Sequence, residues 1–529
     1  MKSYIHFLKN INADSERQDV WQDYQGFCDN LSEVKAVTLA KYIPNLFSWV
    51  NSQGMSHSFY EGLKKICTSN LDWVKSFYSA LKSSNNLQCF DILDRVLAIA
   101  LPFDKKWVTT EIFDLLDSPD TSKLNKGIST VGYSNLDIKG LKNFVKKGES
   151  RFNEISKNEI SDETASNLLF AYRAHRKHFS SADTFIRSKL NSENESIQFQ
   201  LIQLVCYAID IEKDTKLFAE VLSSLANVHY NILGEHNQLS YHLERKLETH
   251  YSIVIQYLKA WIEYSPENAR QIVLFQGIFN ELYSAHPQKF SKLLTRWLNQ
   301  DSINYHIALS FILRDLGYRG VATITLDKAL LKTYSFYDIE FIVKKFVGFE
   351  YDKDRLNSIL YSILESTYTN QDSLNLVAHY MVTYLIFNYY STIEFLEEKK
   401  KKAPSKLKKI LTEIIQQGRS YYDAYTDLDI LKEFQPSEER LNYIHKLQSK
   451  KLRKDQDEYQ KSRKGLLSLF TNLHFRSGKT AFGKFDGQYS AQMEPKLISH
   501  SAEMPRGEFI DPVKQKLIRL DGRLFIRRK

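Results

Sequence analysis

Cysteine, proline and glycine are the scarce residues of this 529-residue chain, at four, ten and 19. The cysteines, Cys28, Cys67, Cys89 and Cys206, have no paired spacing and sit among apolar or helical neighbours. They read as reduced core thiols, which excludes a disulfide framework and points to the cytoplasm. So few Gly and Pro cannot supply a turn about every ten residues, which excludes a β-sandwich or propeller. Apolar runs of about 18 residues are also missing. The best stretch, Leu376 to Tyr390, contains His379 and Asn388, so no membrane span is expected. The opening Met1-Lys2-Ser3-Tyr4-Ile5-His6 lacks a signal peptide's apolar run and cleavage site. With 43% hydrophobic and 26% charged residues the composition is globular, and the length is ample for a large core without staples.

Acidic residues are short in one place only. Leu441 to Lys529 holds 20 Lys+Arg against 9 Asp+Glu, whereas residues 1–440 hold 52 against 54. The whole net charge of +9 therefore belongs to the last 89 residues, which also carry six Gly and three Pro. A neutral body with a basic end points to a polyanion or an acidic protein groove as partner.

What the chain has in quantity is helical periodicity. Leu407, Ile410, Leu411, Ile414 and Ile415 fall at i, i+3, i+4, i+7 and i+8, with Lys406, Lys408, Lys409 and Glu413 on the other face. Tyr251 to Tyr264 and Leu374 to Tyr390 are apolar nearly all round, so each needs cover on several sides. Before residue 100, helices are expected over Ala36 to Val50, Phe59 to Cys67, Leu71 to Leu81 and Leu87 to Leu101. Farther on, helices of one type are expected to begin near Pro266, Ser302, Phe336 and Asp372, and of a second type near Pro287, Ala322 and Lys353. A step in the mid-thirties with two helices per unit marks an α-solenoid of antiparallel helix pairs. The tetratricopeptide and ankyrin signatures are absent, and the pattern resembles a degenerate HEAT- or armadillo-type α-helical repeat.

The fold class expected is thus all-α, in four parts. Residues 1–134 form an N-terminal helical region, closed by turn formers from Ser118-Pro119-Asp120 through Gly127, Gly132 and Asn135. Residues 135–435 form the repeat array, and 436–464 a basic helix opened by Pro436-Ser437-Glu438-Glu439 that projects from the body. Residues 465–529 are basic and extended. They end in a short β-hairpin at 516–527, where Asp521-Gly522 supplies a type I′ turn between Lys516–Leu520 and Arg523–Arg527. The body is expected to keep its own core when everything after Gln435 is removed.

Motifs for chemistry fail in turn. Ser477-Gly478-Lys479-Thr480 resembles the end of a phosphate loop, but Leu473 stands where the first Gly is required. His229, His236, His242 and His250 are spaced seven, six and eight apart, not at the three or four that helical zinc ligands favour, so no metal is expected. Arg173 to His178, Arg245 to His250 and Arg440 to His445 match the Arg–His spacing of the helical HEPN nucleases, which they resemble, although none of these Arg is followed by Asn, Asp or His. A divergent helical ribonuclease is therefore one alternative; a plain basic patch of Arg173, Arg176 and Lys177 is another. Nucleophile motifs are missing, so no catalytic residue and no cofactor is assigned.

The basic end remains. Lys450, Lys451, Arg453, Lys454, Lys461, Arg463 and Lys464 lie close enough on one helix to follow a phosphate backbone. Behind them Phe482 and Phe485 interleave with Arg476, Lys479 and Lys484, and Arg523, Arg527 and Arg528 close the chain. Aromatics between cations suit base stacking with phosphate neutralisation, and equally a segment anchored across a protein. The function expected is a non-enzymatic scaffold or adaptor within a larger assembly, with protein subunits and the DNA or RNA backbone as partners and no membrane. A pure protein–protein adaptor, such as an accessory subunit of a bacterial defence system, is the other alternative.

Overall fold

The computed structural model describes residues 2–12, 17–84, 86–236, 238–321, 323–426, 437–462, 473–476, 480–485, 488–493 and 507–527. The fold is all-α, with three short strands late in the chain. Side-chain caps set many helix starts. Asn70 Oδ1 accepts from Trp73 N at 3.1 Å, Asp104 Oδ1 from Trp107 N at 3.0 Å and Ser161 Oγ from Thr164 N at 3.2 Å. Ser335 and Asp338 form a reciprocal capping box. Among the described residues no helix is long and apolar enough to cross a membrane. The chain divides into two compact units, Met1–Val321 and Ala322–Lys529.

In the first unit one row of helices runs through α1 (Ser56–Ser69), α2 (Leu93–Ala100), α3 (Thr121–Tyr133), α4 (Asp162–Ala174), α5 (Glu195–Tyr207), α6 (Gln238–Arg245) and α7 (Gln276–Ala285), each packed on the next. Other helices alternate with them along the chain. Tyr251–Tyr264 is one of these, burying Val254, Tyr257, Leu258, Trp261 and Ile262 as its pattern requires. Trp49, Trp261 and Trp297 are fully buried. The glycines read as turn formers are helix interior: Gly127 and Gly132 lie buried in α3. A β-carbon at Gly132 would stand 2.4 Å from the Phe170 ring, so the missing side chain lets α4 approach. The buried His175 Nε2 donates to the Val131 carbonyl at 2.8 Å, joining the chain on both sides of residue 134.

Observed helices begin at Pro266, Pro287, Ile303, Phe336, Lys353 and Gln371, within a residue of the expected starts. Ala322, the other expected start, lies outside the described residues. The next helix starts at Lys328, because Ile324 N and Leu326 N donate instead to the Ser358 and Ser362 hydroxyls at 3.2 and 3.0 Å. The apolar stretch after Leu374 is not one regular helix either. Gln371–Tyr380 passes into a π-helical turn, Met381–Ile386.

In the second unit, α8 (Phe336–Phe349) and α9 (Glu438–Ser462) precede strands β1 (Leu473–Arg476), β2 (Thr480–Phe485) and β3 (Gln488–Met493), an antiparallel sheet in the order β1-β2-β3. The hairpin expected over 516–527 is instead a helix, α10 (Pro512–Leu524), followed by non-helical Phe525 to Arg527. Asp511 caps it by accepting from Lys514 N at 2.9 Å, and Pro512 takes the first turn. Gly522 does not make a turn. A β-carbon there would meet the Lys344 carbonyl oxygen at 2.3 Å, so its role is to let α10 lie against α8. α10 covers α8, with Gln515, Arg519 and Gly522 on its buried face.

Candidate nucleic-acid interface

The helix α9 opens with Ser437 Oγ accepting from Arg440 N at 3.4 Å, and Glu438 and Glu439 occupy its first turn, where carboxylates favour the helix dipole. Every side chain from Asn442 to Asp455 is exposed, including Tyr443, Ile444, Leu447 and Leu452. Lys446, Lys450, Arg453 and Lys454 fall at i, i+4, i+7 and i+8, which gathers them on one face. Lys451 stands beside that face and is exposed as well. Lys461 lies within α9 as backbone. Arg463, Lys464, Lys479 and Arg528 lie outside the described residues. Arg476 is on β1; Phe482, Lys484 and Phe485 are on β2, where Phe482 pairs with His474 and Gln492.

Two of the expected phosphate ligands are committed elsewhere. Arg523 Nε donates to the Gly348 carbonyl at 2.8 Å and its Nη2 to Tyr351 Oη. Arg527 pairs with Asp338 and lies over the Phe341 ring, 4.5 Å from its centroid. Sequence reasoning missed Arg519, the residue that organises this docking. Its buried guanidinium lies 3.2 Å from the Tyr351 ring centroid and donates to Tyr384 Oη at 3.0 Å and the Glu350 carbonyl at 2.9 Å. Lys345 Nζ answers by donating to the Arg523 carbonyl at 2.6 Å. Cations of each helix thus satisfy terminal carbonyls at the other, which intrahelical bonds leave open. The π-turn faces the same contact. Burial pushes the Tyr384 phenol up to about 12, and Asn388 Nδ2 donates to Gln515 Oε1 at 3.0 Å. The usable signal was the i, i+4, i+7 spacing of Gln515, Arg519 and Gly522.

Arg173 and His178 do not share a helix. Arg173 Nη1 donates to Gln203 Oε1 at 3.0 Å, whereas His178, on a separate 3-10 turn (Arg176–His178), pairs with Asp137 at 3.0 Å. The basic patch is not free either: Arg176 is held by Asp183 and Asp214, both at 2.6 Å, and Lys177 by Asp137 at 2.7 Å. Arg440 and His445 are both exposed on α9. Among the described residues no three His, Cys, Asp or Glu side chains converge as metal ligands. Burial raises the Cys28, Cys67 and Cys206 thiols to about 12, 11 and 12, which disfavours the nucleophilic thiolate. The chain matches no known family model and no curated protein.

Proposed function

We propose that the protein is a non-enzymatic helical-repeat scaffold, a two-layer α-solenoid, that associates with nucleic acid through its basic C-terminal region. The observation that carries this reading is α9. It has 25 residues, its described side chains from Asn442 to Asp455 are all exposed, and its cations gather on one face. Neutralising a phosphate backbone is what such a face does best, and it reads charge more than sequence. The test is fluorescence anisotropy of the full chain with labelled single- and double-stranded oligonucleotides over a salt series. Engagement of roughly six phosphates gives a log–log salt slope near −4 to −5. Charge reversal at Lys450, Lys451, Arg453 and Lys454 should weaken binding and flatten that slope. Absence of binding even at low salt would remove the nucleic-acid half of the proposal.

A second reading, a protein–protein adaptor, is favoured by α10. Its polar face is the buried one, while Val513, Leu517, Leu520 and Leu524 are 66%, 58%, 49% and 66% exposed. Their spacing of four, three and four is a d–a–d–a seam, and exposed Lys514 and Lys516 flank it. That chemistry suits an amphipathic helix of a partner subunit with carboxylates beside its own apolar seam. Leu517→Lys with Leu520→Lys should release such a subunit during purification from the host without lowering the melting temperature. Retention of the subunit would overturn this reading.

A further inference from the structure

A continuous chain of aromatic rings, guanidinium groups and amides crosses the row α1–α6. It begins at Tyr60, 5.7 Å from the Arg95 guanidinium, which itself lies 3.3 Å from the Tyr133 ring centroid. Tyr133 and Phe170 have centroids 4.6 Å apart, and Arg173 lies over Phe170 at 5.3 Å. Arg173 donates to Gln203 at 3.0 Å, and Gln203 Nε2 to Gln238 Oε1 at 2.8 Å. There the seam opens into a cavity of about 690 Å³ whose lining includes Tyr207, Gln238, Tyr241, His242, Arg245 and Lys246. Each of α1 to α6 contributes at least one member.

Two features set this seam apart from packing. The first is charge. Several cations elsewhere in the unit have carboxylate partners: Lys75 with Asp104 at 2.8 Å, Lys82 with Glu111 at 2.6 Å, Arg187 with Glu220 at 2.7 Å. Arg95, Arg173 and Arg245 lie instead over the Tyr133, Phe170 and Tyr241 rings at 3.3, 5.3 and 5.8 Å, and among the described residues no carboxylate lines the cavity. The second is exposure. Tyr207 and Tyr241, both lining the cavity, stand 67% and 63% exposed, and the Arg245 guanidinium lies 5.8 Å from the Tyr241 ring centroid. Exposed aromatic faces beside cations are what an unstacked base and its phosphate require, and a duplex keeps those faces hidden.

We propose that this seam is a second nucleic-acid site, which takes single-stranded polynucleotide by stacking bases on Tyr207 and Tyr241 and holding phosphates with Arg245, Lys246 and Arg173. The inference is independent of α9, so the test separates the two. Full-length protein carrying Lys450, Lys451, Arg453 and Lys454 all changed to Gln is titrated against labelled oligo(dT) and oligo(U) of about twenty nucleotides. Binding should persist in that background. Tyr207→Ala with Tyr241→Ala should then weaken it by about 5- to 150-fold for each stacked base lost. Tyr207→Phe with Tyr241→Phe should restore it, because stacking needs the ring and not the hydroxyl. Arg245→Gln with Lys246→Gln should weaken binding and flatten its salt dependence. Loss of all binding in the α9-neutralised background would overturn the seam while leaving α9 standing. Affinity unchanged in the Ala pair, or a mononucleotide bound as tightly as the oligomer, would equally overturn it.

Discussion

Gly522 and Gly348 meet backbone to backbone. A β-carbon on Gly522 would stand 2.3 Å from the Lys344 carbonyl oxygen, and one on Gly348 would stand 2.7 Å from Arg523 N. The contact works only because neither residue has a side chain. Gly522→Ala should therefore separate α10 from α8 and cost about 1–3 kcal/mol by overpacking, read as a lower denaturation midpoint. Amide exchange across residues 512–524 should rise with it. The exposed control Leu520→Ala should move stability by no more than about 0.5 kcal/mol.

Arg519 is the cation that organises the docking of α10. Arg519→Met should cost about 2–3 kcal/mol, since the Tyr384 hydroxyl and the Glu350 carbonyl lose a charged donor inside the docked contact. Arg519→Lys should not rescue it: an ammonium cannot lie flat on the Tyr351 ring and reach two acceptors at once. Urea unfolding of both variants decides this.

Arg527 and Lys451 separate structural from binding charge. Arg527 is occupied by Asp338, so Arg527→Ala should loosen the C-terminus and leave the salt slope of nucleic-acid binding unchanged. Lys451→Glu, on the exposed helix, should shift that slope toward zero by about one. Anisotropy at four or five salt concentrations gives both answers.

The buried Asp94 should give the first unit a pH-dependent stability. Burial raises its carboxyl to about 6 against the pull of Lys126, 4.0 Å away. A carboxyl raised on folding contributes stability that is full below the unfolded value near 4 and lost as pH rises through about 6. Asp94→Asn is neutral throughout. Relative to wild type it should gain about 3 kcal/mol between pH 4 and pH 7, at about 1.4 kcal/mol per pKa unit. Equal pH profiles for the two proteins would rule this out.

Trp261→Ala should open a cavity beneath Phe275, whose ring lies 5.1 Å away, and cost about 3–5 kcal/mol. In stacked repeats the damage stays with neighbouring helices, so exchange should rise around Tyr251–Tyr264 first. One cooperative transition across the whole chain would argue for a compact bundle instead.

Periodicity alone determined the helical class, most helix starts and the character of the basic helix, because these depend on neighbours three or four residues away along one chain. Pro266, Pro287 and Ser335 mark starts in sequence and in space alike. The exposure of the described α9 side chains from Asn442 to Asp455 follows its high density of charged and polar residues. Glycine was where local reasoning failed. Asp521-Gly522 has the chemistry of a hairpin turn, and Gly127 and Gly132 that of a linker, yet all three sit in helices where another element must come close. Nothing local distinguishes a glycine needed for its backbone freedom from one needed for its missing β-carbon; only the approaching partner does. The same holds for arginine. Arg519, Arg523 and Arg527 resemble the exposed cations of α9 in sequence, and became anchors because α8 and the residues just after it carry carbonyls, Tyr351 and Asp338 within their reach. Tyr133, Phe170, Tyr207 and Tyr241 lie 34 to 37 residues apart, and only the packing of one helix on the next decides that they share a surface.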